Sequence, residues 1–167
     1  MEIRMIKRIL CYYMIFMISC FVHELGHIIM AKIFCDIKNY RIELGIGKSI
    51  IDFKKFAIKS IPIAGHGYWE LEDLERYNKS NKLRRIMPTL GGPLFSLVMT
   101  VLLIILYKEN SEPNKFVNHM MIYSIVANAS FFVATILPIK YLNCSSDGMR
   151  IFNILKSTEK MQIRSKL

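Results

Sequence analysis

Three long apolar stretches constrain the fold of this chain more than any other feature of its sequence. They run from about residue 9 to 34, from 87 to 107 and from 117 to 139. A helix needs about 20 mostly apolar residues to cross the hydrocarbon core of a bilayer, and each stretch is long enough. A cleaved signal peptide does not explain the first stretch, because its apolar part is too long and a charged motif interrupts it. The sequence therefore predicts three membrane-spanning helices.

The rest of the composition fits one membrane domain over residues 1–167. Apolar residues make up 53% of the chain, yet its net charge is +10, with the basic residues lying between the apolar stretches. This pattern favours loops at a membrane surface over a nucleic-acid-binding face, which needs a basic surface on a soluble fold. The four cysteines form no C-x-x-C pair, so we expect neither a disulfide framework nor a zinc knuckle. We predict an all-α membrane protein with no nucleic-acid partner.

The basic residues also suggest an orientation in the cell membrane. Three spans place the N-terminus and the 108–116 loop on one side, and the 35–86 segment and the C-terminal tail on the other. The second side carries more Lys and Arg, which favours a cytoplasmic location for it and an N-terminus outside. Three basic residues before the first span point the other way: Arg4, Lys7 and Arg8.

The long segment between the first two spans is expected to be structured. Residues from about 40 to 70 form short β-rich runs separated by Gly and Pro, which predicts strands or a hairpin. The following polar stretch, residues 71–86, is typical of a helix or linker at the membrane surface. We therefore expect a small β-rich region beside an otherwise helical membrane core.

An H-E-x-x-H motif lies in the second half of the first span, at residues 23–27. Residues four apart in an α-helix are offset by about 40° around the axis and about 6 Å along it. His23 and His27 therefore share one face and can bind one cation, with Glu24 beside them. Ionisable residues inside a span are costly to insert and usually serve a function. The motif predicts a zinc site in which a carboxylate accepts a proton from water.

A catalytic zinc site needs a third protein ligand, for which the sequence offers four candidates: Asp147, His66, His119 and Asp36. The segment that follows the third span returns to the membrane depth of the two histidines, and it contains Asp147. His119 lies at the far end of the third span. We therefore predict one Zn²⁺ per chain, bound by His23, His27 and Asp147, although these ligands would also accept other divalent metals.

Four motifs in this order resemble the site-2 protease family of intramembrane metalloproteases, over nearly the whole chain. They are HELGH at 23–27, IPIAGHGYW at 61–69, GGPLFS at 91–96 and ILP…SDG between 136 and 148. The resemblance implies a three-span core that hydrolyses a peptide bond within or beside the bilayer. It implies zinc bound by His23, His27 and Asp147, with Glu24 as general base or acid.

The resemblance also implies that Gly65, His66 and Gly67 lie near the site and align an extended substrate. A solvated loop position is the plainer interpretation of His66. Asn143 either supplies an amide to the site or shapes a turn, and we favour the turn. Helix packing is the expected role of Gly91, Gly92 and Pro93.

The chain departs from the family pattern at two places. The family's N-x-x-P is matched by Thr135 to Pro138, nine residues before Asp147, so residues 140–146 resemble an insertion. The family's G-P-x-x-N ends here in Ser96. Both changes concern polar groups that would stabilise an oxyanion, and neither affects the predicted metal ligands.

The predicted partners are the lipid bilayer and a membrane-embedded or membrane-associated polypeptide substrate. Family analogy suggests a signalling peptide, a bacteriocin-like precursor or an anti-sigma factor. The alternative is a catalytically silent membrane protein that binds or sequesters a partner peptide, and the intact Glu24 argues against it. A metal transporter is disfavoured because transport usually requires more spans.

Overall fold

The computed structural model describes residues 2–109, 114–141 and 145–156, without the side chains of residues 2–4 and 62. It is mostly helical, with one β-hairpin between the first two long helices. In chain order the elements are α1 (Glu2–Phe34), β1 (Ile37–Phe53), β2 (Phe56–Leu71), α2 (Leu74–Lys79), α3 (Lys82–Glu109), α4 (Lys115–Ile136) and α5 (Asp147–Lys156).

Three of the helices are long and apolar enough to cross a membrane, judged by length and composition. Their candidate spans are Met5–Phe34 in α1, Lys82–Glu109 in α3 and Lys115–Ile136 in α4. Many of their large apolar side chains are exposed, among them Ile18, Val101 and Val126. An apolar surface of this extent suits contact with lipid. The three helices correspond to the three predicted spans.

The helix limits differ from the predicted limits of the spans. α1 begins near the N-terminus, and α3 begins at Lys82, five residues before the predicted start at 87. α4 ends at Ile136, three residues before the predicted end at 139. Leu137 takes an extended conformation there because the following Pro138 disfavours the helical conformation of the residue before it.

α1 and α3 approach each other closely at a pair of glycines. A β-carbon placed on Gly26 would lie 2.8 Å from the Phe95 side chain and closer still to the Gly91 carbonyl oxygen. A β-carbon on Gly91 would lie 2.9 Å from Met30 Cγ and closer to the Gly26 backbone. Gly91 therefore packs helix against helix, as expected. The contact places α3 directly beside the turn of α1 that carries the two histidines.

β1 and β2 form an antiparallel hairpin that folds back on itself. Tyr40 lies opposite Trp69 near its base, and Phe53 lies opposite Phe56 at its tip. Ile42 pairs with β2 twice, with Gly67 and with Phe56, so the middle of β1 is flanked by β2 on both sides. The β-rich region predicted at about 40–70 is thus a small sheet over residues 37–71.

The hairpin packs against α1 through a small apolar core. Its buried members are Met17, Cys20, Ile28, Ile42 and Leu44. Three of them lie on α1 and two on β1, so burial of this cluster fixes the hairpin against the helix. The polar stretch predicted at residues 71–86 divides into α2 and the first turn of α3, with Asp73 accepting a hydrogen bond from Arg76 N at the start of α2.

Candidate metal centre

Three ligand atoms from two elements converge inside the helical core. His23 and His27 project from one face of α1, and Asp147 is the first residue of α5. The two histidine Nε2 atoms are 3.3 Å apart, and each lies 3.3 Å from Asp147 Oδ2. All three residues are buried, at 3%, 6% and 9% exposure. Within the described part of the chain, they are the group of three His, Cys, Asp or Glu residues placed to hold a metal ion.

The spacing of these atoms fits a tetrahedral zinc ion. Zinc binds imidazole nitrogen and carboxylate oxygen at about 2.0–2.2 Å, so neighbouring tetrahedral ligands lie about 3.3–3.5 Å apart. Burial by itself would raise the pKa of Asp147, but its contacts with His23 and His27 outweigh that effect and lower the pKa. A divalent cation at this position would offset the charge of the Asp147 carboxylate and accept the lone pairs of both imidazole nitrogens.

The carbonyl of Pro88 orients the ring of His27. His27 Nδ1 lies 2.8 Å from the Pro88 carbonyl oxygen. A carbonyl only accepts hydrogen bonds, so Nδ1 carries the proton and Nε2 keeps its lone pair for a metal. Pro88 lies in the first third of α3, so the helix backbone itself supplies this support.

Ser96 holds the other histidine in the same way. His23 Nδ1 lies 3.0 Å from Ser96 Oγ, and Ser96 is fully buried one turn beyond Pro93 on α3. A hydroxyl can accept the Nδ1 proton and leave Nε2 free for the metal. The family motif places Asn at this position, and the serine here still supplies a hydrogen-bonding oxygen to the site.

Ser96→Ala is expected to weaken metal binding by about 10–100-fold, the usual effect of removing a residue that orients a metal ligand. The zinc dissociation constant of the detergent-purified protein, measured by competition with a chelator, tests this. Thr100→Ala is the matched control, because Thr100 is a buried residue of the same helix whose hydroxyl donates a hydrogen bond to the Ser96 carbonyl. Equal zinc affinity in wild type and Ser96→Ala would contradict the role of Ser96.

Gly92 lies directly against the Nε2 atoms of His23 and His27. A β-carbon at this position would be 2.6 Å from His23 Nε2 and closer still to His27 Nε2. Real β-carbons do not approach other atoms so closely, so only glycine fits here. Packing was the predicted role of Gly92, and the structure places it at the metal centre instead. Gly91, its neighbour, faces the α1 backbone.

The start of α5 is fixed by Ser146 and Gly148. Ser146 Oγ accepts hydrogen bonds from Ile139 N at 3.0 Å and from Met149 N at 3.2 Å, so it both caps the helix and closes the preceding loop. A β-carbon on Gly148 would collide with the backbone of Ile136 and Leu137. α5 therefore starts in direct contact with the end of α4, and this contact sets the position of Asp147.

Glu24 lies on the side of α1 that faces β2. A β-carbon on Gly65 would lie 2.8 Å from Glu24 Cγ, and one on Gly67 would lie 3.2 Å from Glu24 Oε2. No described residue gives the Glu24 carboxylate a hydrogen bond or an ion pair. Two residues further along, the Trp69 ring stacks near His27, with 6.5 Å between ring centroids. Gly65, Gly67 and Trp69 therefore share the face of β2 that covers the site.

The other candidate residues lie away from this centre. His66 is exposed on the opposite face of β2, beside Tyr68. His119 is exposed and contacts the Lys115 carbonyl, while Asp36 pairs with Arg84 and Arg76. Asn143 falls outside the described residues. The alternatives to Asp147 as third ligand are therefore not brought to the two histidines.

Sequence reasoning missed the supporting roles of Pro88, Gly92 and Ser96. The G-G-P-x-x-S motif marked part of this helix, but nothing in it indicates which atoms face the histidines. Thr135, at the position of the family's asparagine, donates its hydroxyl to Phe131 O within its own helix. The Thr135 hydroxyl is therefore already engaged in a hydrogen bond within α4.

Comparison with known proteins gives a family and several relatives. The sequence profile described as peptidase family M50 matches residues 11–165. Three bacterial proteins that are provisionally named zinc metalloproteases are similar to this chain. Identity is 26% over 91 residues in Clostridium acetobutylicum, 33% over 104 in Borreliella burgdorferi and 32% over 100 in Helicobacter pylori. These matches cover 49%, 51% and 49% of this chain. They span 26%, 24% and 28% of the relatives, about a quarter of each length.

Proposed function

The chain belongs to peptidase family M50, and from this premise we propose that it is an intramembrane zinc metallopeptidase. It would hydrolyse a peptide bond in a membrane-embedded or membrane-associated polypeptide. The observation that carries the proposal is the convergence of His23, His27 and Asp147 at 3.3 Å spacing within a bundle of membrane-length helices. Glu24, buried beside the histidines, completes the groups that peptide hydrolysis needs.

The residues of the site have distinct parts in this reaction. His23, His27 and Asp147 would hold a zinc ion, which would supply Lewis acidity for activating water and polarising a peptide carbonyl. Glu24 accepts the proton of the attacking water and then donates it to the nitrogen of the departing amine. Its carboxylate is unpaired among the described residues, so it is available as a base.

β2 supports alignment of the substrate beside this centre. Gly65 and Gly67 carry no side chains, so the strand comes close to Glu24. An extended peptide that pairs with the hairpin would lie parallel to this face and bring one of its carbonyls to the site. The hairpin belongs to the side of the membrane that we propose to be cytoplasmic, with the N-terminus outside.

Metal analysis of the detergent-purified protein tests the proposed ligands. We expect about one zinc per chain in the wild type and almost none in His23→Ala or Asp147→Ala. Each variant keeps only two of the three proposed ligands, which is too few for a stable zinc site. Inductively coupled plasma mass spectrometry gives the stoichiometry. His119→Ala is the matched control, since it removes an exposed histidine and should keep its zinc.

Two results would contradict this assignment. A wild type that holds no zinc after purification in its presence would remove the basis for a metallopeptidase. Full occupancy in His23→Ala would show that the metal binds elsewhere. Either result would instead favour a membrane protein that binds its partner peptide without cleaving it.

A further inference from the structure

Two lysines from different elements meet at one aromatic ring of the hairpin. Lys32 Nζ lies over the ring of Tyr40 at 4.2 Å from its centroid, and Lys55 Nζ lies over the same ring at 4.7 Å. A cation over an aromatic face is attracted by the ring. The two ammonium groups lie no more than about 9 Å apart, so they also repel each other.

The fold brings these residues together from distant positions in the chain. Lys32 is in the last turn of α1, and Tyr40 is on β1. Lys55 lies in the turn between β1 and β2, and its carbonyl accepts a hydrogen bond from Ile42 N at 3.0 Å. This bond folds the tip of the hairpin back over β1, which places the Lys55 side chain at Tyr40.

Neither lysine has an acidic partner among the residues that the structure describes. Other basic residues of the hairpin do have one, since Arg41 pairs with Glu43 and Asp52, and Lys59 pairs with Glu43. Two positive charges concentrated at one ring without an acidic partner favour the binding of an anion. Both lysines are exposed, so an anion can reach them.

Lys32 and Lys55 lie close enough to the candidate metal centre for one extended peptide to reach both places. Tyr40 is the cross-strand neighbour of Trp69, and the Trp69 ring lies 6.5 Å from that of His27. Cross-strand neighbours are about 5 Å apart, so with the 4.2 and 4.7 Å from each ammonium to the Tyr40 ring the lysines lie at most about 16 Å from His27. An extended peptide advances about 3.3 Å per residue and covers that distance in about five residues.

We propose that Lys32, Lys55 and Tyr40 form a recognition site for an acidic side chain of the substrate, within about five residues of the cleaved bond. The inference rests on the proposed peptidase function and adds a determinant of its specificity. A lipid phosphate could also bind two lysines. Two features favour the peptide. Tyr40 is linked to His27 through Trp69, and Lys55 belongs to the hairpin that we propose aligns the substrate. The net charge of +10 also attracts an acidic substrate.

Trp69 provides a direct measurement, because it is the only tryptophan of the 167-residue sequence. The full-length, zinc-loaded Glu24→Gln variant in detergent is titrated with a tryptophan-free, unstructured peptide containing one glutamate. A second peptide carries glutamine at that position. We expect the glutamate peptide to bind about fivefold more tightly, the combined effect of two exposed ion pairs. The preference should disappear when Lys32→Gln and Lys55→Gln are added.

The matched control carries Lys48→Gln and Lys54→Gln, which remove the same number of positive charges from the hairpin. It should retain the preference for glutamate, and both double variants should retain zinc and helix content. Equal affinity for the two peptides, or no binding of either, would overturn the inference without affecting the zinc and hydrolysis tests. Loss of hydrolysis in the wild type would instead contradict the peptidase proposal, because this titration needs no turnover.

A lipid occupant would give a different result. The same titration is repeated in nanodiscs of phosphatidylcholine and of phosphatidylglycerol. If Lys32 and Lys55 bind the substrate, the glutamate preference persists in both lipids. Two results together would assign the site to lipid headgroups and overturn the inference. The glutamate preference would be absent in phosphatidylglycerol, and this lipid would change peptide affinity only while Lys32 and Lys55 are present.

Discussion

Glu24→Gln is expected to keep its zinc and to lose peptide hydrolysis by about 10²–10⁴-fold, the usual contribution of a general base. Glutamine has nearly the same shape as glutamate but cannot accept the proton of the attacking water. Glu24 is not one of the three converging ligands, so its replacement leaves the metal centre intact. Retained zinc with lost hydrolysis is therefore the result that separates chemistry from metal binding.

Hydrolysis of fluorescently labelled casein in detergent, with zinc stoichiometry measured on the same preparation, provides the test. Glu75→Gln is the matched control, because Glu75 is an exposed residue of α2 that pairs with Lys79. It should show the activity of the wild type. If Glu24→Gln retained full activity, Glu24 could not be the base. If it lost its zinc, its role would be structural.

Gly92→Ala is expected to abolish zinc binding, and with it hydrolysis, although it adds a single methyl group. The added carbon would occupy the space directly beside His23 Nε2 and His27 Nε2, at 2.6 Å from the former. Either the histidines or α3 must move, and α3 is held against α1 by the Gly26–Gly91 contact. The three ligand atoms could then no longer keep their 3.3 Å spacing.

Zinc stoichiometry and helix content by circular dichroism are measured together on Gly92→Ala. Val98→Ala is the matched control, because it makes a small change on the same helix at an exposed position. We expect it to keep about one zinc per chain. Normal zinc affinity in a folded Gly92→Ala protein would show that this glycine does not limit the space at the metal centre.

The sequence by itself determined the features that depend on neighbours along the chain. Apolar runs of about 20 residues specify membrane-length helices because every backbone polar group must be satisfied within the bilayer. The four-residue spacing of His23 and His27 places them on one helix face whatever surrounds the helix. β-rich runs separated by Gly and Pro specified the hairpin for the same local reason. The choice of Asp147 depended on topology, which the order of the spans supplied.

Only the tertiary structure decided which distant atoms meet. Ser96 and the Pro88 carbonyl become partners of the histidines because Gly26 and Gly91 let α1 and α3 approach closely. The structure also showed that Gly92 excludes any side chain, and that Lys55 returns to Tyr40 when the hairpin folds back. These contacts join residues that are 15 to 73 positions apart in the sequence. Side-chain periodicity specifies the elements, but packing of complementary surfaces selects their pairing, so the residues that support the two histidines could not be derived from sequence alone.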